Sequence, residues 1–140
     1  MTVVAGVDES PISMKVAEAA IAEAKWRDSD LHLVHVAYFP IVYSEVPINW
    51  GEVAEAQREH VWGQLEPVVP ADGVHVERVD LEGYPPDLLV DYANGQQAEL
   101  LVVGTRGRGD LASLILGSTS HRAIHLARCD VMVVKAAEES

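Results

Sequence analysis

Cys129 is the only cysteine in the chain, so no internal disulfide can form, and the expected setting is a reducing compartment. Positive charge is scarce as well. Ten Lys and Arg stand against 22 Asp and Glu, for a formal net charge of −12, and such a surface repels nucleic acid and anionic membrane alike. Charge thus argues against binding nucleic acid through a broad basic face, and a site for a small anion needs its own local positive field. Long apolar runs are missing, so no segment reaches membrane-spanning length, and Met1–Asp8 lacks the basic stretch and apolar core of a secretory leader. The expectation is a soluble, cytoplasmic protein. With no linker, low-complexity stretch or internal repeat, residues 1–140 are expected to make one domain, large enough for a core and too short for two.

What the chain does have is alternation of apolar runs with helical patterns. Val3–Val7 reads as a buried strand. Ser10-Pro11 offers an N-cap and a first-turn proline to a helix reaching about Trp26, with Ile12, Val16, Ala19, Ala20 and Ala24 on one face. Asp28-Ser29-Asp30 ends that helix, and Leu31–Ala37 is the second strand. A long, partly apolar loop from Tyr38 to Asn49 precedes a helix over Trp50–Glu66 whose stripe is Trp50, Ala54, Val61 and Leu65. Val74–Asp80 alternates apolar with polar residues, as an edge strand does. Gly83-Tyr84-Pro85-Pro86 opens a third helix with Leu88, Leu89, Tyr92 and Ala93 inward. Glu99–Val103, Ser118–Ala127 and Val131–Val134 complete the pattern as strand, helix and strand. Short apolar strands separated by helices predict a parallel sheet covered on both faces, with ligands beyond the carboxyl ends of the strands. Asp8, Val36-Ala37 and the loop at Gly104 occupy those ends, and they share one crevice if the first and fourth strands are neighbours.

The most informative segment follows the run Leu100-Leu101-Val102-Val103. Gly104-Thr105-Arg106-Gly107 is followed after nine residues by Gly117-Ser118, which places a flexible turn at a strand end and a second Gly-Ser pair at a helix start. Glycines let backbone N–H groups approach phosphate oxygens, and a helix N-terminus adds free donors and a favourable dipole. Arg106 and Arg108 could supply the local positive field. The plainer reading is a tight turn, with Ser118 acting only as an N-cap and Asp8 only capping the first helix.

These segments resemble the universal stress proteins of the ATP-binding type. The resemblance rests on Val7-Asp8-Glu9-Ser10-Pro11, on Leu101 through Gly109 with its Gly-x-x-Gly-x9-Gly-Ser signature, on Gly117-Ser118-Thr119-Ser120 and on Ala127 through Val134, and it spans essentially the whole chain. It implies a doubly wound, Rossmann-like α/β fold of the adenine nucleotide alpha hydrolase-like type, a five-stranded parallel sheet in the order 3-2-1-4-5. It also implies ATP, with Mg²⁺, at the ends of the first and fourth strands. The nucleotide-binding residues implied are Val7, Asp8, Ser10, Pro11, Val36, Gly104, Thr105, Arg106, Gly107, Gly117, Ser118 and Thr119. Asp8 would face ribose and phosphates, and is the candidate to meet Mg²⁺ carried by ATP. The Val36 backbone would meet adenine, and Gly104, Arg106, Gly107, Gly117, Ser118 and Thr119 would hold phosphates. Two residues depart from the family pattern: Glu9 stands where glycine is common, and Asp130 replaces a proline after Cys129.

Other features fall outside that site. His121 and His125, four apart on a helix, share a face and could clamp a metal, but no third ligand is near in sequence. His32 and His35 point to opposite faces of a strand. Cys129 is expected to pack as a small apolar residue, a reactive thiol being the alternative. Tyr38, Phe39, Ile41, Val42 and Tyr43 are too apolar for an idle loop; a lid over the base, a subunit contact and simple core-covering are the options. Val131–Val134 carries no charge or proline although it would form an edge, so a homodimer through residues 131–135 is expected. No Gly-Lys-Ser/Thr loop, pyrophosphatase-type loop or evident general base accompanies the glycines. The expectation is a nucleotide-responsive stress-response module without efficient turnover, the alternatives being a slow Mg²⁺-dependent ATP hydrolase and a cyclic AMP-binding member of the fold.

Overall fold

A computed structural model of the chain describes residues 1–38, 45–69, 72–105 and 117–135. Five strands and four helices follow in the order β1 (Thr2–Val7), α1 (Ile12–Arg27), β2 (Asp30–Ala37), α2 (Trp50–Leu65), β3 (Val76–Glu82), α3 (Pro85–Gly95), β4 (Leu100–Gly104), α4 (Ser118–Leu126) and β5 (Asp130–Val134). All strand pairs are parallel and the sheet order is β3-β2-β1-β4-β5, as expected. No helix among the described residues is long and apolar enough to cross a membrane.

The central strands are apolar on both sides because both sides are covered. Val3 and Ala5 of β1, with Leu31, Leu33 and Val102, pack on Val16, Ala17 and Ala20 of α1 and on Val61 and Leu65 of α2. Val4, Val34, Leu101 and Val103 pack on Leu89, Val90 and Ala93 of α3 and on Ala123 of α4. The strand β3 is an edge, and its alternation leaves Glu77, Arg78, Asp80 and Glu82 exposed.

Glycine sets how closely the helices approach. A Cβ on Gly6 would lie 2.5 Å from Leu89 Cδ2, so α3 rests directly on the β1 backbone. The left-handed conformation of Asp28 (φ 52, ψ 46) ends α1, its N–H reaching back to the carbonyls of Ala24 and Lys25. Asn49 caps α2 by accepting the Glu52 N–H at 3.2 Å.

Several local expectations shift. The third strand begins two residues later than the alternation suggested, because His75 and Val74 precede the ladder that starts at Val76 and Leu31. Trp50 stands partly exposed at the start of α2 instead of completing its buried stripe. In α3 the buried set is Pro86, Leu89, Val90 and Ala93, with Leu88 and Tyr92 only half-buried. Tyr92 turns its hydroxyl to His32 Nδ1 at 2.7 Å, which is why it stays at the rim.

Leu101 is fully buried between β1, α3 and α4. Leu101→Ala is expected to lower the unfolding free energy by about 2–5 kcal/mol in a urea titration, and a loss under about 1 kcal/mol would contradict this packing.

Candidate functional site

Two parallel ladders meet on β1. Val7, its last residue, pairs with His35, while β2 runs on through Val36 and Ala37 opposite β3; on the other side Ala5 pairs with Val102 and β4 runs on to Gly104. Because α1 and α2 lie on one face and α3 and α4 on the other, the winding reverses between β1 and β4, and a crevice opens there. A cavity of about 460 Å³ fills it, within the range of small-molecule sites.

The turn after β1 is organised around Asp8. The Asp8 N–H donates to Ser13 Oγ at 2.8 Å, and Ser13 Oγ donates to Asp8 Oδ1 at 3.0 Å. The same carboxylate oxygen accepts the Ser10 N–H at 2.8 Å and the Ser10 hydroxyl. Ser10 is thus committed to Asp8, and Pro11 occupies the N-cap position of α1 with no side-chain cap. That corrects the expected Ser10 cap; Asp8 shapes the turn before the helix through Ser10 and Ser13. Gln64 of α2 holds the turn from the other side, its Nε2 donating to the Ser10 carbonyl at 3.1 Å.

The loop after β4 begins in an equally fixed state. Thr105 is buried, and its N–H donates to the Val134 carbonyl of β5 at 2.9 Å. Ser120, fully buried on α4, donates its hydroxyl to the Gly104 carbonyl at 3.1 Å. A Cβ on Gly104 would lie 3.0 Å from Val16 Cγ2 and 3.1 Å from Ile12 Cγ2, so this glycine admits α1 against the strand end. At the start of α4 the N-cap is Gly117, not Ser118, in an extended conformation (φ −67, ψ 168) with no side-chain cap. The first-turn N–H groups of α4 thus receive no side-chain cap from the N-cap residue, and Gly117, Ser118 and Thr119 line the cavity together with Gly104.

Val7, Asp8, Ser10, Val36, Gly104, Thr105, Gly117, Ser118 and Thr119 all line the cavity. Pro11 does not; it is exposed to solvent. Arg106, Gly107, Arg108 and Gly109 lie outside the described residues, as do Phe39–Tyr43 of the apolar loop. Among the described lining residues, Asp8 and Glu9 carry negative charge and no Lys or Arg appears. Among the described residues, positive potential there is offered by helix N-termini and backbone dipoles.

Sequence reasoning missed Ser13, Ser120, Gln57, Pro85 and Leu89, all of which line the cavity. Ser120 stood in the quoted Gly-Ser-Thr-Ser run and Pro85 in the quoted helix start. Nothing in the sequence pattern marks Gln57 or Ser13. His35 also lines the cavity and is almost fully buried, with Nδ1 3.4 Å from Asp80 Oδ1; Trp62 Nε1 donates to the same carboxylate at 3.0 Å.

Away from the cavity, His32 and His35 do face opposite sides of β2, His32 towards Tyr92 and His35 towards Asp80. His121 and His125 share the exposed face of α4, ring centroids 4.6 Å apart, and among the described residues no group of three or more His, Cys, Asp or Glu is placed to hold a metal. Cys129 is half-buried against the α3 and α4 side of the core, and burial, with Asp130 beside it, pushes its thiol pKa up.

The sequence profile of the universal stress protein family matches residues 1–135. A universal stress protein of Methanocaldococcus jannaschii is 32% identical over 137 residues, covering 95% of this chain and 81% of its own length. Mycobacterial universal stress proteins 34% identical to the chain are longer, and it spans 45% of their length. The solved structure of a universal stress protein from Lactobacillus plantarum superposes with a TM-score of 0.79 at 19% identity, covering 96% of this chain and 97% of that one. One from Archaeoglobus fulgidus, solved in complex with dAMP, gives 0.71 at 22% identity, covering 96% and 98%.

Gly104→Ala, tested without any ligand, is expected to destabilise the fold by about 1–3 kcal/mol, since Ile12 and Val16 must yield to the new methyl group. Unchanged thermal unfolding would show that α1 does not sit against the strand end.

Proposed function

The chain belongs to the universal stress protein family, and on that premise we propose that it is an adenine-nucleotide-binding module that takes ATP with Mg²⁺ and signals its occupancy to a partner. The observation that carries this reading is the start of α4. Its uncapped first-turn N–H groups open on the same cavity as Gly104, Asp8 and Val36, the cradle a phosphate chain and its nucleoside require. The family neighbour solved with dAMP supports an adenine nucleotide as the ligand class.

The division of labour follows from the topology. The β4 loop and the first turn of α4, with Gly117, Ser118 and Thr119, receive phosphates; the carbonyl end of β2 at Val36 receives the base; Asp8 stands between them in the turn after β1, towards the ribose. Arg106 and Gly107 belong to the phosphate end on the sequence signature. Mg²⁺ supplies charge neutralisation where the cavity otherwise holds the carboxylates of Asp8 and Glu9, and it typically needs only one or two carboxylates besides phosphate oxygens. Asp8 is the residue to meet it.

Binding without efficient turnover fits the side chains present. His35 turns Nδ1 to Asp80, and Ser13 and Ser120 spend their hydroxyls on Asp8 and Gly104, which leaves no activated base among them. Cyclic AMP is the second candidate, because a cavity with no Lys or Arg among its described lining residues does not count phosphates by charge. Slow Mg²⁺-dependent ATP hydrolysis is the enzymatic alternative.

We also propose a homodimer through β5. This strand is the sheet edge, and Val131–Val134 are half-buried apolar residues with no charge among them. Thr105 N–H bonds to Val134, so the start of the nucleotide loop and the dimer edge are joined by one hydrogen bond.

Two experiments test this function. Calorimetric titration is expected to show stoichiometric ATP binding that Gly117→Val weakens at least tenfold with the fold retained; unchanged affinity would reduce the motif to a turn. Sedimentation at high micromolar concentration is expected to show a dimer, and a monomer there would refute assembly through β5.

A further inference from the structure

We infer that Gln57 reads the base in this cavity and selects adenine over guanine. The inference rests on the adenine-nucleotide reading and assigns that reading's specificity to one side chain of α2.

The strands β2 and β4 flank β1, so the base and phosphate ends of the cavity lie on opposite sides of that strand. At the β2 end the wall is apolar, with Val36 from the strand and Pro85 and Leu89 from α3, a surface suited to the face of a flat ring. Apolar contact of this kind does not distinguish one purine from another. Discrimination needs polar groups at the ring edge, and beside the Val36 backbone the side chains that could add one are few among the described lining residues. His35 has Nδ1 directed to Asp80 and is closed off from solvent. Gln57 is the one side-chain amide among the described lining residues.

Its hydrogen bonding leaves it available. Gln57 Nε2 donates to the Tyr38 carbonyl at 3.5 Å, the outer limit of a hydrogen bond, so the amide is oriented by the protein but weakly held. In that orientation one N–H faces Tyr38, and a second N–H and the Oε1 acceptor remain to offer. The anchor itself is braced: the Tyr38 ring lies against the Tyr84 ring, centroids 6.1 Å apart, and the Gly83 N–H donates to the Ala37 carbonyl at 3.0 Å. Gly83 adopts φ 144, where a side chain would be strained and a Cβ would meet Leu88 at 2.6 Å, so the segment carrying Tyr84 is fixed in place.

A carboxamide presents one donor beside one acceptor. The adenine edge offers the complement, the N6 amino group beside a ring-nitrogen acceptor, and the glutamine–adenine pair is a recurrent bidentate contact. On its N7 edge guanine offers O6 and N7, both acceptors, so Oε1 would face a second lone pair; on its N1 edge it offers O6 beside N1–H, the reverse order, which the amide matches only by turning over and giving up its bond to the Tyr38 carbonyl. A site built around such a hydrogen-bonding pattern rejects the base lacking it.

The test is calorimetric titration of ATP and GTP into the purified chain and into Gln57→Leu. The wild-type chain is expected to bind ATP about tenfold or more tightly than GTP, and Gln57→Leu to bring the ratio to about threefold or less through lost ATP affinity. The ratio is the readout, because a general loosening of α2 weakens both ligands together. Gln57→Glu keeps the side-chain shape but has no N–H to donate, and it is expected to erode the ATP preference likewise if the leucine variant does not fold. An ATP:GTP ratio unchanged in a folded variant, or equal binding of the two by the wild type, overturns the role of Gln57 and leaves the nucleotide site standing. Binding of neither nucleotide by the wild type overturns both.

Discussion

The pairing of β1 with β4 is the contact on which the rest of this molecule depends. Three register pairs, Val3 with Leu100, Val4 with Leu101 and Ala5 with Val102, join strands that lie far apart in the chain. Everything before β4 builds one half of the sheet, with α1 and α2 on one face; β4 and β5 build the other half. Right-handed crossovers then force the reversal of winding to fall at this one seam, and a crevice at the strand ends follows from geometry alone. Two glycines tighten the seam from opposite faces, Gly6 under Leu89 of α3 and Gly104 under Ile12 and Val16 of α1.

The electrostatics of the crevice are those of an acidic chain. With a formal net charge of −12, the protein does not attract polyanions at long range. Any attraction for a small anion would have to be local, and among the described lining residues the backbone groups at the start of α4 are placed to offer it. The serines near the site serve a different end. Ser13 and Ser120 are buried and hold Asp8 and the Gly104 carbonyl in position, so the turns on either side of the seam are set before a ligand arrives. Preformed cradles of this kind spend less of their binding free energy on ordering.

Much of this was legible in the sequence, for physical reasons that differ from element to element. The strands β1 and β4 are unbroken apolar runs because both faces are covered, and β3 alternates because its edge is wet. The nine-residue spacing between Gly107 and Gly117 marked the β4 end of the crevice, since glycines at a strand end and a helix start are a local pattern. The β2 end of the crevice left no such trace. Gln57 arrives there from a helix that precedes β3, through a loop and a turn of α2 that no periodicity could orient, and Ser13 looks like any helix-start serine. The cap assignments failed for a related reason. Ser10 and Ser118 have the right chemistry for an N-cap, but Asp8 claims the first and the chain enters α4 one residue earlier at Gly117.

The packing of Gly104 bears on how such proteins drift. A methyl group there would crowd Ile12 and Val16 at 3.0–3.2 Å with no ligand involved, so the residue answers to helix packing in its own right. Packing alone would therefore favour keeping this glycine in a descendant of the chain, and part of the signature would persist there without any ligand to account for it. Retained function in such lineages is better judged by positions that the fold leaves free to vary, among them the exposed Ser118 at the mouth of the cavity.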